Sequence, residues 1–167
     1  MIIWIGIDVV VAIVVLYLVG IALPKSYKPA VETPLEQPPE VVWPVISGVE
    51  AIVDANFPNR TAQRLPDENG LPVWLVDLGQ NQMTIQTIES TPPERLVRVV
   101  ANSATPLTST YLYELTAVPP GSHLRINAEI YLDSGNWRIP FLRLSIRLFG
   151  RAGLKGLLSS IVNHLGT

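Results

Sequence analysis

Residues 109–132 read STYLYELTAVPPGSHLRINAEIYL, and the alternation within this stretch decides the fold. On both sides of Pro119-Pro120-Gly121 apolar and polar residues alternate with the period of a half-buried strand, and Pro-Pro-Gly itself is turn chemistry. With Pro119–Ser122 as a four-residue loop, Val118 faces His123. Ala117, Leu115, Tyr113 and Tyr111 then oppose Leu124, Ile126, Ala128 and Ile130 on an apolar face. Thr116, Glu114 and Leu112 oppose Arg125, Asn127 and Glu129 on a mostly polar one. A slip of one residue would mix the two faces, so the stretch predicts an antiparallel hairpin with one side on a core.

Upstream the same period continues. Strands are expected at about Arg60–Leu65, Val73–Leu78, Met83–Ser90 and Arg95–Ala101, separated by Asp67-Glu68-Asn69-Gly70, Gly79-Gln80-Asn81 and Pro92-Pro93 turns. Together with the hairpin they make an antiparallel meander. Glu40–Ile46 and Val49–Ala55 predict two short helices ahead of it, with Pro38 and Pro39 at the entry of the first. Downstream, Phe141 to about Leu165 predicts one long amphipathic helix, along which Arg143, Arg147, Arg151 and Lys155 recur at i+4 as a cationic stripe. Gly150, Gly153 and Gly156 interrupt that helix and point to a bend or a close backbone contact.

The 167 residues are 48% hydrophobic, and the excess sits at the N-terminus. Ile2–Leu23 carries a single charge, Asp8, and ends at Pro24-Lys25. At about 1.5 Å per residue this stretch is roughly 33 Å long, close to the hydrocarbon thickness of a bilayer. It lacks the basic start and short apolar run of a cleaved signal. The expectation is a transmembrane anchor over residues 1–24, a proline-rich linker over 25–39 with room for a short first strand near Ala30–Thr33, and one domain over 40–167. Lys25 and Lys28 follow the span and no Lys or Arg precedes it. The positive-inside rule therefore predicts a single-pass membrane protein with its C-terminal domain in the cytoplasm.

A formal charge of −2 argues against nucleic acid as a partner. With no cysteine, thiolate metal sites and thiol nucleophiles are excluded. His123 and His164 stand in no metal-ligand or triad spacing, the carboxylates are scattered, and the helix glycines follow no strand, so no metal or cofactor is expected.

Three motifs carry a family resemblance. Pro38-Pro39-Glu40-Val41-Val42-Trp43-Pro44-Val45-Ile46 is similar to the opening of the START-like (SRPBCC, Bet v 1-like) superfamily, which includes polyketide cyclases and lipid-transport proteins. Pro93-Glu94-Arg95-Leu96 before a strand, and Tyr111-Leu112-Tyr113-Glu114-Leu115 followed by Gly121-Ser122-His123-Leu124, also resemble it. Pro44 inside the opening helix and the lack of a tryptophan-containing segment in Val49–Leu65 depart from the pattern. The resemblance implies an α+β helix-grip fold: an antiparallel curved sheet wrapped around the long C-terminal helix, two short helices near the start, and a cavity between sheet and helix for a lipid or other hydrophobic small molecule. In that frame the candidate cavity residues are Trp74, Val97, Val99, Tyr111, Tyr113, Ile126, Ala128 and Ile130 from the sheet, with Phe141, Leu144 and Leu148 from the helix. Arg143, Arg147, Arg151 and Lys155 are the candidate membrane-surface residues. Two alternatives stay open: a cyclase- or dehydratase-type enzyme using Tyr111 or Tyr113 to polarise a carbonyl, and a ligand-free protein-interaction domain.

Overall fold

The protein is described by a computed structural model covering residues 2–105, 107–132 and 135–166, with residues 2–6 as backbone only. Its elements run α1 (Ile2–Ala22), β1 (Ser26–Tyr27), β2 (Ala30–Leu35), α2 (Pro39–Ser47) and α3 (Glu50–Asn56). Then follow β3 (Ala62–Glu68), β4 (Leu71–Asp77), β5 (Gln82–Thr91), β6 (Arg95–Asn102), β7 (Leu107–Val118), β8 (Gly121–Leu132) and α4 (Ile139–Leu165).

The sheet is antiparallel throughout, in the order β1-β8-β7-β6-β5-β4-β3. β2 also pairs with β8. Because β1 meets Ile130 and Tyr131 while β2 meets Ser122 to Asn127, the two share one edge end to end, and the sheet is seven strands wide. α4 lies across the inner face, burying Leu154, Leu157 and Ile161 against Val100, Tyr113, Leu124, Ile126 and Ala128. Each such aliphatic side chain contributes about 2 kcal/mol of hydrophobic stabilisation. α2 and α3 close one end of the layer, with Val42, Ile46 and Ile52 in the same core.

The β7–β8 hairpin keeps its predicted faces but not its predicted loop. Val118 pairs with Gly121, so only Pro119 and Pro120 form the turn. Leu115 therefore opposes Leu124, Tyr113 opposes Ile126 and Tyr111 opposes Ala128. A shift of two residues preserves side-chain parity, which is why the apolar set stays together. Gly121 is required at the turn exit: a Cβ there would stand 2.9 Å from the Glu36 carbonyl oxygen and run into the end of β2.

One expectation is corrected in part, and another is not shown. The short strand expected near Ala30–Thr33 is present as β2, but the rest of the stretch before it is not loose spacer, because β1 also joins the sheet; Lys25 O accepts from Leu132 N at 3.0 Å and Pro29 O from Ala128 N at 2.9 Å. Proline survives here because the strand lies at an edge, where a missing N–H leaves no ladder partner unpaired. Second, among the described residues no helix is long and apolar enough to cross a membrane. The described side chains of α1 run from Ile7 to Ala22, about 24 Å of helix. The span expected over residues 1–24 thus stands outside what the structure shows. α1 itself has little cover: Val10 is 60% and Leu18 59% exposed, and only the side of Tyr17, Gly20 and Leu23 meets the domain.

Candidate ligand cavity

Between the inner face of the sheet and α4 lie two adjoining lobes of about 200 and 190 Å³. Asn56, Leu107, Ser109, Tyr111 and Leu157 line both. The first opens between α4 and the β7–β8 strands, where Ile130, Ile146, Gly150 and Gly153 add to its wall. The second reaches inward to Phe57, Met83, Val100 and Tyr113. Apolar carbon dominates both walls, as suits a hydrophobic small-molecule site.

Two helix glycines shape the first lobe. A Cβ at Gly153 would meet nothing within 4 Å, so the missing side chain is open space. A Cβ at Gly150 would lie 3.0 Å from the Tyr27 ring, so there glycine admits the edge strand's aromatic against the helix.

Polar groups are few. The Tyr113 side chain is 1% exposed; its hydroxyl makes no hydrogen bond of ordinary length, and its polar neighbour is the Arg98 guanidinium, which acts on it by charge and as a donor. Burial pushes its pKa well above the usual tyrosine value, against a downward pull from the nearby Arg98 guanidinium. Burial likewise raises Tyr111, with Ser109 pulling the other way. Both are therefore neutral phenols at neutral pH, able to donate or accept a hydrogen bond. Neither lobe's wall contains an Asp, Glu, His, Lys or Arg. Among the described residues no cluster could hold a metal ion.

Beside the second lobe stands Arg98, fully buried. Its Nη1 donates to Ile46 O at 2.9 Å and Gly48 O at 2.7 Å, its Nη2 donates to Ser47 O, and its Nε reaches Thr87 Oγ1 at 3.4 Å. The guanidinium thus caps the C-terminal carbonyls of α2, where a helix favours positive charge. Burial lowers its pKa, while Tyr113 and Glu50 act to raise it.

Of the candidate cavity residues, Tyr111, Tyr113, Ala128 and Ile130 line the lobes. Ile126 is fully buried in the adjoining core. Trp74 lies further along the inner face, paired with Ile85 and under the Arg64 guanidinium at 5.0 Å, its indole N–H buried without a partner. Val97 and Val99 face the other side of the sheet, since Leu96, Arg98 and Val100 take the inner positions of β6. Phe141 contacts Tyr17 of α1 at a ring distance of 5.8 Å and not the cavity. Leu144 is half-buried away from the lobes, and Leu148 is 66% exposed on the outer side of α4. The helix residues that do reach the cavity, Ile146, Gly150, Gly153, Leu154 and Leu157, lie on the opposite side of the 3.6-residue cycle from Leu148.

The cationic stripe divides. Arg143 is only 8% exposed, its Nη1 3.5 Å from Leu23 O. Arg147 reaches Ser26 O at 3.4 Å and stacks over the Tyr27 ring. Arg151 and Lys155 are exposed and border a groove of about 300 Å³ with Arg125, Glu32 and Leu158.

This arrangement, an antiparallel sheet closed over a long C-terminal helix, is a helix-grip fold that solved structures share. The ZhuI aromatase/cyclase from Streptomyces sp. R1128 superposes with a TM-score of 0.67 at 12% identity, over 84% of this chain and 94% of that one. Ara h 8.0201 gives 0.58 at 10% identity, over 84% and 97%. The Mll3558 protein from Rhizobium loti gives 0.58 at 17% identity, over 83% and 96%. No family model and no curated protein matches the sequence.

Proposed function

We propose that the protein binds a lipid or similar apolar molecule in the two-lobed cavity while α1 anchors it in a membrane with the folded domain on the cytoplasmic side. The observation that carries the binding reading is the apolar space between the sheet and α4, with the Tyr113 phenol in the wall of its inner lobe. A buried phenol with no hydrogen bond of ordinary length is poorly satisfied, and a ligand carbonyl or hydroxyl would complete it beside the Arg98 guanidinium. With no carboxylate or histidine in either wall, a cyclase-type reaction would have only weakly acidic hydroxyls, those of Tyr111, Tyr113 and Ser109, for proton transfer, so binding is the better-supported activity. The anchor reading is supported by the near-continuous apolar sequence of α1 and by its bare surface, since a helix apolar all round is stable only inside a core or a bilayer.

The test is photo-crosslinking of the full chain in lipid nanodiscs with a diazirine-bearing fatty acid. Crosslinks should fall on the β7 and α4 peptides that line the lobes and disappear in Gly153→Trp, which fills the first lobe. Crosslinks confined to α1 and indifferent to Gly153→Trp would sink the binding reading. For the orientation, a fluorescent protein fused to the C-terminus should fluoresce and an alkaline phosphatase fusion should stay inactive. The reverse pattern would place the domain on the outer side.

A further inference from the structure

The outer side of α4 is unlike the rest of the domain surface. Trp137, Leu148 and Phe149 are each 66% exposed. Trp137 meets Phe141 edge-on at 6.4 Å, Phe141 meets Tyr17 of α1, and Arg138 lies over the Trp137 ring at 5.4 Å. An aromatic chain with a cation at its end thus leads from the root of α1 onto α4, the composition of a membrane–water interface. Leu148 follows Phe141 by seven residues and so shares its side of the helix, and Lys155 follows Leu148 by seven. Beyond Leu148 the same side turns cationic, where Arg151 and Lys155 join Arg125 around a groove in which Glu32 is the one carboxylate.

The junction holds this face near wherever α1 goes. Only Leu23, Pro24 and Lys25 separate α1 from β1. Arg143 and Arg147 tie α4 to Leu23 O and Ser26 O. A domain so attached cannot drift away on a long tether.

We propose that this face of α4 docks on an anionic bilayer surface, with Leu148 and Phe149 in the headgroup layer and Arg125, Arg151 and Lys155 against lipid phosphates. The proposal rests on the anchor reading above and extends it to the folded domain. Apolar insertion and charge attraction reinforce each other at such surfaces, and the second weakens with salt.

The chain has no cysteine, so single labels are clean. Ala152→Cys, four residues beyond Leu148, reports on the patch without altering it, and Thr91→Cys at the end of β5 is the control. Each full chain carries a fluorophore there and is reconstituted into phosphatidylcholine vesicles with or without phosphatidylglycerol. Lipids spin-labelled near the headgroup should quench the residue-152 label about threefold more than the residue-91 label on anionic vesicles. High salt, Leu148→Asp with Phe149→Asp, or Arg125→Gln with Arg151→Gln and Lys155→Gln should each reduce that excess. Equal quenching at both labels, or quenching indifferent to lipid charge, overturns the docking while leaving the cavity crosslinks above untouched. Failure of the chain to float with vesicles at high salt overturns the anchor and the docking together.

Discussion

Tyr113 carries two expectations at the level of a single side chain. Its buried hydroxyl makes no hydrogen bond of ordinary length and has the Arg98 guanidinium as its polar neighbour; an unsatisfied buried polar group costs about 1–3 kcal/mol. Tyr113→Phe should therefore leave the ligand-free protein as stable or about 1 kcal/mol more stable in urea unfolding in detergent micelles. The same change should weaken capture of a photoreactive fatty acid. Lost stability together with unchanged capture would refute the role given to the hydroxyl. The pH dependence has a definite sign. Both Tyr111 and Tyr113 have folded pKa values above the unfolded value near 10, so the folded state holds protons that the unfolded state releases. Their contribution is fully present below pH ~10 and is lost as pH rises past it, at up to about 1.4 kcal/mol per pH unit for each phenol. Tyr113→Phe should flatten that alkaline slope.

Arg98 shows what strand alternation leaves undecided. In Leu96-Val97-Arg98-Val99-Val100 both alternating sets contain valine, and parity alone does not say which set faces inward. Choosing the purely apolar pair, Val97 and Val99, put them in the cavity. The structure turns Arg98 to the inner side of the sheet instead, beside the cavity, because three carbonyls at the end of α2 wait for donors. That pairing joins residues about fifty positions apart and leaves no local trace in the sequence. Arg98→Met keeps the stem and removes the donors, and should cost about 2–4 kcal/mol of stability by urea unfolding in micelles, since buried carbonyls lose charged partners. A loss below about 1 kcal/mol would show that water replaces the guanidinium.

Among the elements, α4 was legible as an amphipathic helix, but which of its sides does what was not. The i+4 spacing of Arg143, Arg147, Arg151 and Lys155 suggested one exposed stripe. Yet i+4 steps drift by about 40° each, and over four residues the stripe turns from the edge strand to solvent. Arg143 and Arg147 accordingly hold the chain entry, and only the last two are free of the domain's body. The glycines of the same helix make an element-level test. Gly153→Ala gains helix propensity and meets no atom, so it should stabilise by about 0.5–1 kcal/mol. Gly150→Ala gains the same propensity but presses on Tyr27, and should be clearly less favourable. Equal effects of the two, in thermal unfolding, would deny that Tyr27 seats on Gly150.

At the scale of the whole molecule, α1 meets the domain by close backbone approach: a Cβ at Gly20 would lie 2.7 Å from Pro140 Cα. Gly20→Leu should wedge α1 from α4 and speed trypsin cleavage after Lys25 about tenfold through local opening. An unchanged cleavage rate would mean that the junction is held elsewhere. The apolar character of α1, the order of the strands, the two faces of the hairpin and the existence of the long helix were all set by local periodicity and turn residues, which act over a few positions. The hairpin survived even a misjudged loop, because a two-residue shift keeps parity. What tertiary structure alone decided was where non-local partners meet. Residues 25–39 read as a spacer with room for one short strand because prolines signal extended chain, and only β8, about a hundred positions later, supplies the edge that pairs with β1 and β2. The inward turn of Arg98, the diversion of Arg143 and Arg147, and the space beside Gly153 have the same origin. Each depends on which surfaces are left when helix and sheet close on one another, and that long-range closure is not written in any short stretch of the chain.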